Sequence, residues 1–297
     1  MLIIRAAHIL SFDSIMQIKV LGASGGIDAD IHTTAFLLDG DTLIDAGTGV
    51  CSLPLAEQLG IHQVFLTHAH LDHLAGLPFL ADSVARHRIE NHLPPIQVHA
   101  LPEVLSALRQ HIFNDCIWPD FMRLPSPEQP VLELFSLTMS SQVLLSQGRC
   151  VEAVSAEHGV PAVGFAVHQQ GESWLFTGDT GRNPSLWQFI NQLPQRGQRL
   201  RSLVVECTFA DGDQAFADLT GHYTAHSLAQ DLAEHLHGVS FDLYLSHLKP
   251  GDKAAIVQGL NTLHQVAQAK GCAVQLLQQG HVFALGTVPD DAALPAA

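Results

Sequence analysis

Positive charge is scarce in this chain. Of 297 residues, 14 are Lys or Arg against 29 Asp or Glu, a formal net charge of −15. A surface of that kind repels a polyanion such as tRNA or DNA unless a local basic patch offsets it. No Lys/Arg run provides one; "PQRGQRLR", Pro194 to Arg201, is short and reads as a solvated loop. A nucleic-acid partner is therefore not expected. A small anion is a different case, because bound cations invert the local field. Cysteine is sparse too. Cys51, Cys116, Cys150, Cys207 and Cys272 are scattered, odd in number and without a CxxC pair. That argues against a disulfide framework and for a reducing, cytoplasmic location. No apolar run approaches membrane-spanning length. Linkers, repeats and low-complexity segments are missing as well.

Apolar residues make up 47% of the chain, ample for a core, and the length suits one large α/β domain. The expectation is a single domain over residues 1–297. Residues 1–15 would be an extension before Met16, and 288–297 a loose tail. The opening "MLIIRAAHILSFDSI" has one Arg, a broken apolar core and no clear cleavage site, which is poor material for a signal peptide.

Hairpins and strands come first, strand–helix units later. "IKVLGASGG" reads as a strand and a Gly-rich turn, and "TAFLLDGDTLIDAGTG" as a hairpin turning at Asp39-Gly40. "HQVFLT" is a buried strand, "LAGLPFLADSVARHR" a helix, "PIQVHA" a strand, and "PEVLSALRQHI" a helix with Pro102 near its start. Pro125, Pro127 and Pro130 mark a loop, inside a candidate insertion from Pro94 to Arg149. "CVEAVSAEHG", "AVGFAVHQ" and "SWLFTGDT" read as strands. A helix at Pro184 to Asn191, the strand "SLVVECT", the helix "AHSLAQDLAEHL", the strand "DLYLSH", a helix from Asp252 and the strand "AVQLLQQ" follow. This order predicts two sheets packed face to face with helices outside.

"FLTHAHLDHLAGLPF", Phe65 to Phe79, puts three histidines and an aspartate within six positions at a strand end. His68 and His70 are two apart and share a side; Asp72 and His73 follow at the turn into a helix. Imidazole and carboxylate are ligands for borderline divalent metals. So short a segment cannot wrap one ion with all four groups. It could serve two adjacent ions, His68 and His70 on one, Asp72 and His73 on the other. Three candidates for the remaining ligands each stand just past a strand: His158 in "SAEHGVP", Asp179 in "FTGDT" and His247 in "LSHLKPG". Asp179, a carboxylate able to bridge two cations, is the expected bridge, with His158 completing the first ion and His247 the second. Eight other histidines, His62, His87, His92, His99, His111, His168, His235 and His237, read as surface or hydrogen-bonded residues.

The pattern HxHxDH followed by His, Asp and His in that order resembles the metallo-β-lactamase superfamily. The resemblance implies an αββα sandwich, of class α/β, with a dinuclear metal site along one edge. It does not fix the substrate, since this fold hosts many activities.

Three stretches narrow the choice. In "VVECTFADGDQAFADLTGHYTAHSLAQ", Glu206 ends a strand and His222 follows a Gly before a helix. A histidine paired with a carboxylate beside metals can give a proton to a leaving oxygen or clamp a phosphoryl oxygen; Thr224 reads as the helix cap. In "HIFNDCIWPDF", Asn114 offers hydrogen bonds and Trp118 a face on which a base can stack. A buried tryptophan anchoring an insertion is the equal alternative. Lys249 in "LYLSHLKPG" could meet a phosphate or be a solvated surface lysine.

Together "HAHLDH", "IFNDCIWP", "ECTF", "TGHYT" and "HLKP" resemble the motifs of the class II cyclic-nucleotide phosphodiesterases, from about Leu21 to Gly251. The segment "LAGLPFLADS" follows the family pattern loosely, and Tyr223 stands where an aliphatic residue is commoner. The resemblance implies hydrolysis of cyclic AMP or cyclic GMP, both small molecules, at the 3′ bond to give the nucleoside 5′-monophosphate. Two divalent ions, zinc first with manganese or iron as alternatives, would activate the water. The implied ligands are His68, His70, Asp72, His73, His158, Asp179 and His247. The implied catalytic residues are His222, Glu206 and Asp72, and the substrate-binding residues Asn114, Trp118 and Lys249. Asp45 in "LIDAG" would orient a ligand histidine or brace a turn. A homodimer is implied by the resemblance alone.

The nearest rival is a tRNA 3′-end nuclease, which shares the seven metal ligands and a Glu…His pair but usually needs a basic, Gly/Pro-rich arm to hold tRNA. Here the stretch Pro94 to Arg149 carries few positive charges and the whole chain is acidic. A lactonase or thioesterase leaves Glu206 and His222 without a task. A non-catalytic metal-binding or partner-binding protein would be marked by a lost ligand, yet all seven positions are filled.

Overall fold

The computed structural model describes residues 15–286. The expected tail from Val288, and the expected extension apart from Ile15, lie outside the described residues.

The strands, in chain order, are β1 (Met16–Gly22), β2 (Ala35–Leu38), β3 (Thr42–Ala46), β4 (Gln63–Phe65), β5 (Ile96–Ala100), β6 (Pro125–Ser126), β7 (Gln129–Pro130), β8 (Leu132–Ser136) and β9 (Gln142–Leu144). They continue with β10 (Cys150–Ser155), β11 (Val163–Gln169), β12 (Glu172–Phe176), β13 (Arg199–Glu206), β14 (Asp242–Ser246), β15 (Ala273–Leu276) and β16 (Val282–Leu285). Among the described residues they form two seven-stranded sheets, ordered β16-β1-β2-β3-β4-β5-β8 and β15-β14-β13-β12-β11-β10-β9, and a two-stranded ribbon of β6 and β7. Each large sheet is mixed. The run from β16 to β3 is antiparallel and that from β3 to β8 parallel. The run from β9 to β12 is antiparallel and that from β12 to β15 parallel.

Both faces of each sheet are covered, so the strands read as near-continuous apolar runs. In β2, Phe36 and Leu38 point between the sheets, while Ala35 and Leu37 point to the outer helices. The inner layer interlocks through aromatic rings: Phe36 meets Trp174 edge-on at 5.2 Å, and Phe65 meets Phe165 at 5.6 Å. Over the first sheet lies the helix Gly76–Glu90, buried through Leu77, Leu80, Ala81 and Val84. Over the second lie the helices Pro184–Gln192, Ala225–His235 and Lys253–Ala269, through Trp187, Leu228, Leu232, Ile256 and Leu263. The result is the expected αββα sandwich.

Local signals account for the boundaries. Asp39 (φ 45°) and Gly40 (φ 77°) both adopt positive φ in the hairpin turn, across which the backbone of Asp41 donates to Leu38 O at 3.0 Å. Pro102 opens the helix Pro102–Ala107. Thr224 caps Ala225–His235 in a capping box with Ser227.

Two expectations need correction. The stretch from Pro94 to Arg149 is not an insertion outside the sandwich, since β5 and β8 build the edge of the first sheet and β9 the edge of the second. Pro125 to Pro130 is not a plain loop, because β6 and β7 pair across it.

Candidate metal centre

The side chains of interest converge on one edge of the sandwich. His68 and His70 follow β4, His158 follows β10, Asp179 follows β12, Glu206 ends β13 and His247 follows β14. These strands run the same way within their sheets, so their C-terminal ends share an edge, the usual place for a site on such sheets.

Two groupings form there. His68, His70, His158 and Asp179 make one, and Asp72, His73 and His247 the other; in each, the ligand atoms lie within 4.8 Å of one another. His70 Nδ1 is 3.3 Å from His158 Nε2. Asp179 stands between the groupings, its Oδ2 3.7 Å from His68 Nε2 and 3.4 Å from His247 Nε2, its Oδ1 3.3 Å from His73 Nε2. Asp72 Oδ2 is 3.1 Å from His247 Nε2 and 4.0 Å from His73 Nε2.

The donor set fits divalent cations on its own chemistry. His68 Nε2, His73 Nε2 and Asp179 Oδ1 are buried polar atoms with no hydrogen-bond partner. Leaving such atoms unpaired is costly, and cations held by the two groupings would satisfy all three. Meanwhile the opposite ring nitrogens are held. Asp45 Oδ2 is 2.6 Å from His73 Nδ1, Thr67 Oγ1 is 3.0 Å from His68 Nδ1, and Gly221 O is 2.9 Å from His158 Nδ1. Rings fixed through one nitrogen present the other, as metal-ligating histidines do. Asp45 holds the His73 ring and also braces the turn, because its Oδ1 accepts from the backbone of Thr67 at 2.8 Å.

Backbone shape serves the same end. Asp45 (φ 54°) and His247 (φ 59°) sit in the left-handed region, which Asp and His tolerate better than most residues. Gly25 allows His247 its place: a Cβ there would lie 2.6 Å from His247 O and 2.8 Å from its Nδ1.

Charge states follow from burial and neighbours. Burial, with His73 nearby, drives the His68 basicity well below the ordinary histidine value. Burial and His158 lower His70. Burial acts against the Asp179 carboxylate, yet His247 and His73 hold it well below the usual range. Asp72 is likewise held low, its bond to His247 and the charge of His73 outweighing burial. His73 is raised, because Asp179 and Asp45 overcome the effect of burial.

Beside the groupings lies a cavity of about 380 Å³, lined by His70, Asp72, His158, Asp179, His222, His247 and Lys249 among others. His222 Nδ1 is 2.6 Å from Glu206 Oε1. Burial would lower His222, but the charge of Glu206 and its hydrogen bond raise it. His222 also forms a third grouping with Asp179 and His247, which the sequence did not suggest. Lys249 reaches the cavity while its Nζ donates to Gly25 O at 2.5 Å.

Asn114 and Trp118 are not among the cavity's lining residues. Asn114 Oδ1 accepts from the backbone of Cys116 and Ile117, and its Nδ2 donates to Gln110 O. Trp118 packs on the outer core of the first sheet and meets Phe79 edge-on at 5.4 Å. Tyr223, the unusual residue of "TGHYT", is fully buried, with its hydroxyl on Asp231 Oδ2 at 2.7 Å.

The family model described as beta-lactamase superfamily domain matches residues 42–261. The chain belongs to the beta-lactamase superfamily. Within it, the chain is similar to a 3′,5′-cyclic-nucleotide phosphodiesterase of Aliivibrio fischeri, 24% identical over 292 residues, covering 80% of this chain and 82% of that protein. It is also similar to a ribonuclease Z of Prochlorococcus marinus, 23% identical over 171 residues, 54% of this chain and 52% of the other. Among solved structures, unliganded yeast PDE1 superposes with a TM-score of 0.73 at 18% identity, covering 90% of this chain and 99% of that one. This superfamily fold implies divalent metals. No helix among the described residues is long and apolar enough to cross a membrane.

Proposed function

We propose that this chain, as a single domain, hydrolyses the 3′ bond of 3′,5′-cyclic nucleotides to give nucleoside 5′-monophosphates. The observation that carries the reading is His222, on the wall of the cavity that both ligand groupings face and paired with the buried Glu206 behind it. The phosphodiesterase named among its relatives, similar over four fifths of the chain, supports the same substrate class.

His68, His70 and His158 would hold one divalent ion, Asp72, His73 and His247 a second, with Asp179 serving both. When bound, such ions supply Lewis-acid stabilisation and lower the pKa of a coordinated water towards neutrality. Zinc is the first candidate, and manganese or iron also suits His/Asp ligation.

The chain's own residues supply the rest. Glu206 fixes the His222 ring through Nδ1, and its charge raises the basicity of the ring, which favours the form with Nε2–H free to donate. As the oxygen of a water adds to phosphorus and the bond to the 3′ oxygen breaks, His222 gives a proton to that departing oxygen. Lys249 places a positive charge on the cavity wall, where a phosphoryl oxygen carries negative charge. Asp72 Oδ2 stands 3.1 Å from His247 Nε2, so the two present their ligand atoms to the same point.

The test compares cyclic AMP, cyclic GMP and a tRNA precursor as substrates of metal-analysed protein. Turnover of a cyclic nucleotide to its 5′-monophosphate, lost in His222→Ala and Asp179→Ala, is expected. Turnover of the tRNA precursor alone would move the chain to the nuclease branch.

A further inference from the structure

Thr208 follows β13 and is fully buried. Its Oγ1 meets three side chains: Glu206 Oε2 at 2.5 Å, His247 Nδ1 at 2.9 Å and His222 Nδ1 at 3.3 Å. A hydroxyl has one hydrogen to give and lone pairs to receive with. Its hydrogen goes to Glu206, because every contact of that carboxylate is a donor: His222 Nδ1 and the backbone of Thr180 on Oε1, Thr208 and the backbone of Tyr223 on Oε2. The Thr208 oxygen is then free only to accept. His222 Nδ1 already gives its hydrogen to Glu206, so the remaining donor is His247 Nδ1. With Nδ1 so engaged, Nε2 is the atom that faces Asp72 and Asp179, and it is the one that would offer its lone pair to an ion there.

The same device recurs on the other sheet. Thr67 Oγ1 donates to Asp45 at 2.9 Å and lies 3.0 Å from His68 Nδ1, while Asp45 holds His73 directly. Each carboxylate thus grips one histidine itself and a second through a threonine.

We propose that Thr208 is a positioning residue whose hydroxyl extends the hold of Glu206 to His247, so that one carboxylate sets both the proton-bearing His222 and a metal ligand. The inference rests on the metal-site reading given above. It makes the second ion, the one shared by Asp72, His73 and His247, dependent on a hydroxyl that never touches it.

The test uses the full chain with Thr208→Val and Thr208→Ser. Zinc affinity is measured by competition with a chromophoric chelator, and the histidine ring N–H groups by nitrogen-15 NMR. The parent should bind two ions. The valine variant should bind one of them about ten- to a hundredfold more weakly and the other within about threefold, and the serine variant should match the parent. A valine variant that binds both ions like the parent, or weakens both alike, overturns the proposal. So does an Nε2–H tautomer of His247 in the zinc-loaded parent, a readout that holds even if the valine variant does not fold. A parent that binds no zinc defeats the metal reading instead. Ring N–H exchange in metal-free protein then decides for Thr208: a protected His247 Nδ1–H in parent and serine variant, lost with valine, supports the role. Equal protection in all three overturns it.

Discussion

Asp45 Oδ2 stands 2.6 Å from His73 Nδ1, and neither side chain has measurable exposure. The carboxylate that fixes this ring also accepts from the backbone and hydroxyl of Thr67. It sits at the end of β3 in a left-handed conformation, and so places the start of the histidine cluster from a neighbouring strand. One side chain therefore controls both the path of the loop and the aim of a ligand.

Asp45→Asn tests that control. It keeps the shape, removes the charge and puts a donor where an acceptor is needed. Zinc affinity should fall about ten- to a hundredfold, the usual cost of losing a partner behind a ligand. Chelator competition measures it, and an unchanged affinity would reduce Asp45 to a turn-bracing residue.

Removing metal should destabilise the fold. His68 Nε2, His73 Nε2 and Asp179 Oδ1 have no hydrogen-bond partner. Ligand present at a hundred times its dissociation constant contributes about 2.7 kcal/mol of stability. Thermal unfolding with zinc should therefore occur several degrees above that with a chelator, and Asp179→Ala should abolish the difference.

Loss of His222 should spare the ions and cost the reaction. His222→Ala is expected to lower kcat for cyclic-nucleotide hydrolysis by about 10²- to 10⁴-fold, the ordinary range for a proton donor. Zinc content should stay the same. An ion lost together with activity would make His222 a ligand, as its grouping with Asp179 and His247 allows.

His99 should set part of the acid sensitivity of folding. Its ring is stacked between Phe65 (4.6 Å) and Phe135 (5.2 Å), with Nε2 on Gln63 Oε1. Burial lowers its pKa from 6.5 to about 4. The unfolded chain then binds a proton between those values that the native protein refuses, so stability drops as pH falls from about 6.5 to about 4. Below the lower value both states are protonated and the loss is complete. His99→Phe should flatten this limb in chemical denaturation measured from pH 7 to pH 4. An unaltered slope would assign the acid sensitivity to other groups.

Much of the site was legible because its signals are local. His68, His70, Asp72 and His73 share one turn, and His158, Asp179 and His247 each follow an apolar run that can only be a buried strand. What escaped depends on partners distant in sequence. Thr208 meets His247 across 39 positions, and no pattern in "ECTF" announces that bond. β8 and β9 are short, half-exposed edge strands with little apolar signal, which is why the region holding them resembled an insertion. Asn114 and Trp118 stand in a conspicuous motif, yet their bonds and packing are local to their own turn and core.

The candidate ligands are divided between the halves of the sandwich. His68, His70, Asp72 and His73 come from the first sheet, and His158, Asp179 and His247 from the second. β16 then returns from the second half to pair with β1, so the first sheet is not complete until residue 285 has been made. On the ribosome, a nascent chain exposes four of these side chains long before their complement exists. A site that needs both sets therefore cannot assemble until the second half has been made, and a product ending after β5 carries only four of the seven side chains.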